Sequence, residues 1–234
     1  MQPMSSYPGA LTDENISHIF RDAADFIRRE LRCGEFTVYA YAVDGLIASG
    51  EASDYIFKPI TQHLHASSMK ALYQHALSGM IYNSVANPCA DLDSVAFQLV
   101  NGFCVVLFPG AGAIGFEVKT PDKRGPQPPE VENTVKGAKD AFVETIRSNT
   151  SYIRRHLRSP DLRLFEMQVG RRTLTNVGVV WLEGITNPEL VEKMKQRLRK
   201  IDIDGFLTPS AVEEYVTGSR ATAFPLMQYT ERSD

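Results

Sequence analysis

The chain is poor in the features that most quickly assign a protein to a chemistry. Its 234 residues hold three cysteines and one tryptophan, and the formal net charge is only −3. A balance so close to neutral gives no electrostatic reason to expect nucleic acid or an acidic membrane surface as partner. Cys33, Cys89 and Cys104 are odd in number, widely spaced and form no C-x-x-C pair or Cys/His cluster, so neither a zinc site nor a disulfide framework is expected. Reduced, structural thiols in a cytoplasmic setting are the reading that fits. No long apolar run is present. The most apolar stretch, residues 103–116, is interrupted by Pro109, Gly110, Gly112 and Gly115, and about 20 apolar residues are needed to span a bilayer. Residues 1–9 are polar, so no secretory signal is expected and the chain reads as soluble.

What is present is ordinary globular material: 43% hydrophobic and 23% charged residues, enough chain to bury a core without staples. Thr12-Asp13-Glu14 opens an expected helix whose apolar face is Ile16, Ile19, Phe20, Ala23, Phe26, Ile27 and Leu31, ended by Gly34. Residues 36–43 read as a strand followed by the Asp44-Gly45 turn. Helices are expected over 55–65 and 67–82, and a third capped by Asp91. Residues 103–108 and 113–119 read as strands joined by a Pro-Gly hairpin. The Gly110-Ala111-Gly112-Ala113-Ile114-Gly115 run has dinucleotide-loop spacing, but a strand is expected after it instead of a helix.

Residues 120–133 are rich in proline and form the expected linker. The fold expected is α/β, with two α/β subdomains (1–125 and 126–234), each a small mixed sheet flanked by helices. The second begins with a helix over 137–157, then strands over 162–169 and 177–182. A helix follows with Asn187 as N-cap and Pro188 in its first turn, buried along Leu190, Val191, Met194, Leu198 and Ile201. A short helix over 210–216 precedes the tail. Val43-Asp44-Gly45-Leu46-Ile47 is echoed by Leu182-Glu183-Gly184-Ile185, each an acid-Gly turn leading from a strand toward a helix. A diverged duplication and the recurrence of a common α/β turn both explain the echo.

Few residues suggest chemistry. In the 137–157 helix, Phe142, Ile146, Ile153 and Leu157 define the apolar stripe, and Asn149 falls inside it with Thr150 at its edge. A buried amide must be paired, either by loop backbone or by a ligand in a cleft. Arg147, Arg154, Arg155 and Arg158 share another side of that helix, and Arg171-Arg172 sits in a turn; acidic neighbours favour salt bridges and subunit contacts over an anion site. Asp202-Ile203-Asp204-Gly205 imitates the nucleophile motif of haloacid-dehalogenase-like phosphatases. It follows an amphipathic helix instead of a buried strand, and too little chain remains for that fold's later motifs. His63 and His65 do not share a helix face, and no serine sits in a G-x-S-x-G setting.

One ordered series is specific. Val135-x-Gly137, Phe142-x-Glu144-Thr145, Arg147-x-Asn149-Thr150, Ile153-Arg154-Arg155, Gly170-Arg171-Arg172-Thr173-x-Thr175, Glu183-Gly184-Ile185-x-Asn187-Pro188 and Ile201-Asp202-Ile203-Asp204-Gly205 follow one another. Taken together they resemble the N-terminal domain of the A subunit of GerA-type spore germinant receptors. The tail 224–232 resembles the segment that precedes the membrane part in that family, and the first half matches more weakly through residues 43–47, Ile56 and Pro59. Lys136-Gly137-Ala138-Lys139-Asp140-Ala141-Phe142 departs from the family's basic-Gly-Pro-Arg-Glu-Gly-Phe run, and the loop 109–115 also diverges.

The resemblance implies a non-catalytic sensor or assembly domain of a nutrient receptor in the inner membrane of a bacterial spore. It implies B and C subunits, other A subunits and a small nutrient germinant as partners, no cofactor, and a cytoplasmic-side location. The expected ligand-binding residues are Arg147, Asn149, Thr150, Glu183 and Gly184; the expected subunit contacts are Arg154, Arg155, Arg171 and Arg172. A freestanding small-molecule-binding protein resembling a transport solute receptor, and an aspartyl-phosphatase, are the alternatives.

Overall fold

The computed structural model describes residues 7–62, 66–81, 85–120, 140–205, 209–217 and 227–233. Thr12 caps helix α1, Asp13–Ile19, by accepting the Asn15 amide. The helix ends there. The chain passes Asp22, at φ 56°, into strand β1, Phe26–Cys33, so the continuous helix expected from Thr12 to Gly34 is two elements. The apolar spacing misleads because Ile27 and Leu31 are four apart, a separation that repeats in a strand as well as in a helix. Pairing decides between them: every residue of β1 lies opposite one of β2, Phe36–Val43, from Phe26–Val43 to Cys33–Phe36.

After β2 come α2, Ser49–Ala52, a π-helical segment Ser53–Phe57, and α3, Lys58–Gln62. Ser68 caps α4, Met69–His75, which widens into a second π-helical segment, Ala76–Met80. Strand β3 is Ala86–Cys89, and α5, Leu92–Val100, starts from an Asp91/Ser94 capping box. β4, Phe103–Phe108, and β5, Gly112–Glu117, form the expected hairpin. The five strands are antiparallel in the order β1-β2-β4-β5-β3.

Strand alternation splits the core in two. Val38, Ala40, Ala42, Cys104, Val106, Phe108, Ile114 and Phe116 face Ala52, Ile56, Ile60 and Leu72 of the α2–α4 layer. Tyr41, Val43, Val105, Leu107 and Ala113 face Ile16, Ile19, Val95 and Leu99 of α1 and α5. The three thiols lie inside these layers, and burial pushes Cys89 and Cys104 up to about 12 from 9.0, with Cys33 also raised. A rise of that size lowers the thiolate fraction at neutral pH about a thousandfold. Titration with a thiol reagent at pH 7.5 is therefore expected to label the native chain far more slowly than the urea-unfolded chain. A cysteine labelled equally fast in both states would contradict the buried placement.

The second half is built on a two-stranded antiparallel sheet, β6, Leu162–Val169, and β7, Thr175–Leu182. Helix α6, Ile146–His156, covers one face, where Ile146 lies over Gly178. α7, Pro188–Arg199, covers the other, with Lys195 over Phe165 and Trp181 and Arg199 over Phe165. The helix expected from Gly137 thus begins only at Ile146. Ala141 lies instead in an extended bridge with Arg232 of the tail, and the Phe142 amide donates to the Glu231 carbonyl. α8, Pro209–Thr217, contacts α7, and Arg197 donates to the Val216 carbonyl. Lys195, which is not in the expected buried stripe of α7, is 8% exposed. Its ammonium sits 4.5 Å over the Trp181 ring and pairs with Glu192, so its stem completes the apolar face. Leu190, expected in the buried stripe, is 57% exposed.

The sequence echo extends to the backbone. Both halves run helix, strand, strand, acid-Gly turn, helix. Gly45 at φ 85° and Gly184 at φ 78° hold equivalent turns, closed by Leu46 N–H to Val43 C=O and Ile185 N–H to Leu182 C=O. The acid of each turn donates its amide to an aspartate just before the first strand: Asp44 to Asp25 at 2.8 Å, Glu183 to Asp161 at 3.0 Å. The first half differs by extending its hairpin into the five-stranded sheet. The expected subdomain boundary at residue 125, most of the proline-rich linker, His63 and His65, and the Lys136-to-Lys139 run lie outside the described residues.

Candidate functional site at the seam between the halves

The two halves meet along α6 and the start of β6. Ala23 and Leu164 form a parallel bridge, in which the Ala24 amide donates to the Leu164 carbonyl and the Leu164 amide to the Asp22 carbonyl. Beside it, α6 turns a polar face inward: Thr150 and Ser151 are each 5% exposed and Arg154 is 1% exposed. The apolar stripe expected to be the core face is less buried, and Leu157 at its end is 39% exposed. The helix lies between two partners, and Asp25 before β1 together with the Asp44-Gly45 turn after β2 claims its polar side.

A buried polar face requires complete pairing. Thr150 donates to the Arg147 carbonyl at 3.1 Å and Ser151 to the Ser148 carbonyl at 2.7 Å, one turn back in the same helix. Arg154 donates from Nε and Nη2 to the two oxygens of Asp25, both at 2.7 Å, and Asp25 is itself 1% exposed. This fork-to-carboxylate pairing is the strongest geometry available to a salt bridge. The Arg154 guanidinium, expected at a subunit contact, is thus paired inside the chain.

Around this pair the contacts become more exposed. Arg147 reaches Asp44 at 2.9 Å and Glu166, through Nη2, at 3.1 Å, tying the first acid-Gly turn to β6. Its Nη1 approaches Glu166 Oε1 to 2.9 Å as an ion contact without hydrogen-bond alignment. Asn149 clamps one residue, accepting from the Val143 amide at 2.7 Å and donating to the Val143 carbonyl at 2.6 Å. Glu183 lies 3.2 Å from Arg21, and Arg163 of β6 donates to the Ile19 carbonyl at 2.7 Å. Burial lowers the Arg163 pKa from its ordinary value. Gly45 brings α6 close: a Cβ there would stand 3.0 Å from the Ser151 Cβ and 3.2 Å from the Arg147 carbonyl. Its counterpart Gly184 is exposed and faces open space.

The residues expected to bind a ligand therefore lie near one seam. Arg147 and Glu183 hold acid–base contacts across it. Asn149 is satisfied by loop backbone, and the Thr150 hydroxyl by its own helix. A cavity of about 250 Å³ does open on the seam, lined by Asp22, Leu164, Phe165, Glu166, Trp181 and Lys195. None of its residues was singled out as a ligand contact from sequence. Arg155 lines a separate cavity at the end of α6. Arg171 and Arg172 are exposed and meet Asp202 at 2.6 Å and Asp204 at 3.9 Å. The amides of Arg171 and Arg172 donate to the carbonyls of Ile203 and Asp204, so the phosphatase-like pair is the counter-charge of a surface turn. Sequence reasoning missed Asp25, which lies where a helix was expected to continue, and Asp44, read only as a turn former.

Comparisons with known proteins agree with the ordered series. The model of the Bacillus/Clostridium GerA spore germination protein family matches residues 14–234. Stage V sporulation protein AF of Bacillus subtilis (strain 168) is 35% identical over 156 residues, covering 66% of this chain and 32% of that protein. Spore germination protein KA of the same organism is 27% identical over 216 residues, covering 91% and 40%. The chain spans less than half the length of these curated relatives. The crystal structure of the N-terminal domain of the A subunit of the Bacillus megaterium spore germinant receptor GerK3 superposes with a TM-score of 0.66 at 22% identity, covering 93% of this chain and 81% of that one. At that identity the likeness establishes a shared fold.

Proposed function

Because the chain belongs to the GerA family of spore germination proteins, we propose that it is a non-catalytic sensor and assembly domain of a nutrient germinant receptor A subunit, working in germination signalling. The observation that carries the reading is the family match across residues 14–234, together with a fold shared with a receptor A-subunit domain. In this reading the domain belongs to a receptor complex at the inner membrane of the spore, with B and C subunits and further A subunits as partners. No helix among the described residues is long and apolar enough to cross a membrane.

The seam is the part suited to signalling. Its ion pairs are graded from fully buried, at Asp25–Arg154, to half exposed, at Arg21–Glu183, so the outer contacts can exchange while the inner one holds the register. A nutrient acting at Arg147, Asn149, Thr150 or Glu183 must displace contacts that the chain already makes, whereas Gly184 faces open space. The non-catalytic reading is supported by Asp202 and Asp204, which lie paired to arginines on an open surface. Arg171 and Arg172, on that surface, remain the proposed subunit contacts.

In-frame deletion of this domain in the spore-former that encodes it is expected to abolish germination with at least one nutrient. Unchanged germination across an amino-acid, sugar and salt panel would overturn the proposal. Isothermal titration of the chain with the same panel separates the two roles: heat with one nutrient assigns direct sensing, and none with any assigns assembly.

A further inference from the structure

Among the described residues, the sheet edges are guarded to very different degrees. β1 is exposed at Arg28, Arg29, Glu30 and Arg32, and β3 is four residues long and holds Pro88. Charge, shortness and proline each discourage pairing with another chain. β7 has none of these protections. Its eight residues, Thr175–Leu182, include no charged side chain and no proline. Val177, Val179, Val180, Trp181 and Leu182 are apolar, yet no residue of the strand is fully buried. Among the described residues, β6 is its sole neighbour in the sheet.

Alternation along the ladder decides which backbone groups of β7 are free. Leu164 of β6 gives its amide to the Asp22 carbonyl and accepts the Ala24 amide, so its backbone faces away from β7. In an antiparallel pair that direction alternates from residue to residue. Val180, opposite Leu164, therefore directs its amide and carbonyl to the open edge, as do Asn176 and Gly178. Leu182 continues the row, but its amide donates to Thr186 Oγ1 at 3.3 Å and its carbonyl accepts the Thr186 amide at 3.0 Å. The row left over is Asn176, Gly178 and Val180, centred on Gly178. Its backbone groups make no hydrogen bond among the described residues, and Asn176 and Gly178 are exposed.

A row of three residues centred on a glycine can pair with itself under a two-fold axis. We propose that two copies of this chain pair antiparallel through β7 about an axis at Gly178, joining their hairpins into one four-stranded sheet. Asn176 of one copy then exchanges both backbone bonds with Val180 of the other, and the two Gly178 residues do so with each other. The ends of the strand select this orientation. Leu174, 55% exposed with left-handed backbone at φ 45°, comes opposite Leu182 of the second copy and toward its Ile185, which is 79% exposed. Arg172, exposed and 3.9 Å from Asp204, comes opposite Gly184 and beside Glu183 of the second copy. A parallel pair would set each charged end against its own kind. The pairing gives the assembly reading a surface and rests on that reading for the copies being A subunits. The two fail separately, because self-association of the chain is measured without reference to germination.

Sedimentation velocity of the chain over a concentration series is expected to show a reversible monomer–dimer equilibrium. Amide hydrogen exchange followed by NMR locates the contact: Gly178 and Val180 should slow as the dimer forms, while Val177 and Val179, already bonded to β6, should change little. Asn176→Pro removes an amide that is unbonded in the single chain and two donors from the dimer. It should weaken association by about tenfold or more, with thermal unfolding of the dilute chain unchanged. A chain that stays monomeric at every concentration overturns the proposal. So does a dimer in which Gly178 and Val180 exchange as fast as in the monomer, and so does undiminished association of a normally folded Asn176→Pro variant. If that variant fails to fold, the exchange pattern of the wild-type chain decides.

Discussion

Replacing Arg154 with methionine is expected to destabilise the chain by about 3–5 kcal/mol, because Asp25 is left as a buried charge without its partner. Both members are 1% exposed and the pairing is bidentate at 2.7 Å, so water cannot substitute without opening the seam. Asp25→Leu should cost a similar amount by stranding the guanidinium. The two substitutions combined should recover much of the loss, since a buried ion pair exchanged for apolar side chains is often neutral or better. Urea unfolding followed by tryptophan fluorescence measures all three, with Trp181 reporting on the second half. A loss below about 1 kcal/mol for either single variant would mean that the pair is solvated, as exposed salt bridges are. The double variant carries a functional consequence as well. If it is stable yet fails to support germination, the pair contributes register between the halves more than stability.

The second large effect is expected at Gly45. Gly45→Ala places a Cβ at φ 85°, 3.0 Å from the Ser151 Cβ and 3.2 Å from the Arg147 carbonyl. The left-handed backbone and the overlap with α6 together predict a loss of about 2–4 kcal/mol. Gly184→Ala is the internal control. It has φ 78° in the equivalent turn and open space around it, so only the backbone cost, about 1–2 kcal/mol, applies. The difference between the two measures how tightly α6 is seated on the first turn. Equal losses in equilibrium unfolding would show that α6 yields freely at this contact.

Much of the architecture was legible because local chemistry and tertiary environment agree. Asp91 and Asn187 cap the helices they were expected to cap, the β4–β5 hairpin turns at Gly110, and β6 and β7 alternate across a two-faced sheet. The errors share one cause. Residues 26–31 carry spacing that serves both a helix and a strand, and only pairing with β2 selects the strand. Helix α6 carries an apolar stripe and a polar stripe, and periodicity alone points to the apolar one as the core. The polar one is buried more deeply because its partners, Asp25 and Asp44, come from more than a hundred residues earlier in the chain.

Sequence alone determined the family, through an ordered series of short motifs, and the capped helices and hairpin turns, because each is set by residues within a few positions of one another. Only the tertiary structure decided what α6 does. The choice of which helix face is buried depends on the free energy of pairing Arg154 with a carboxylate that no local pattern connects to it. The same long-range approach distinguishes the two acid-Gly turns: Gly45 is held against α6 while Gly184 is left open, although their local sequences read alike.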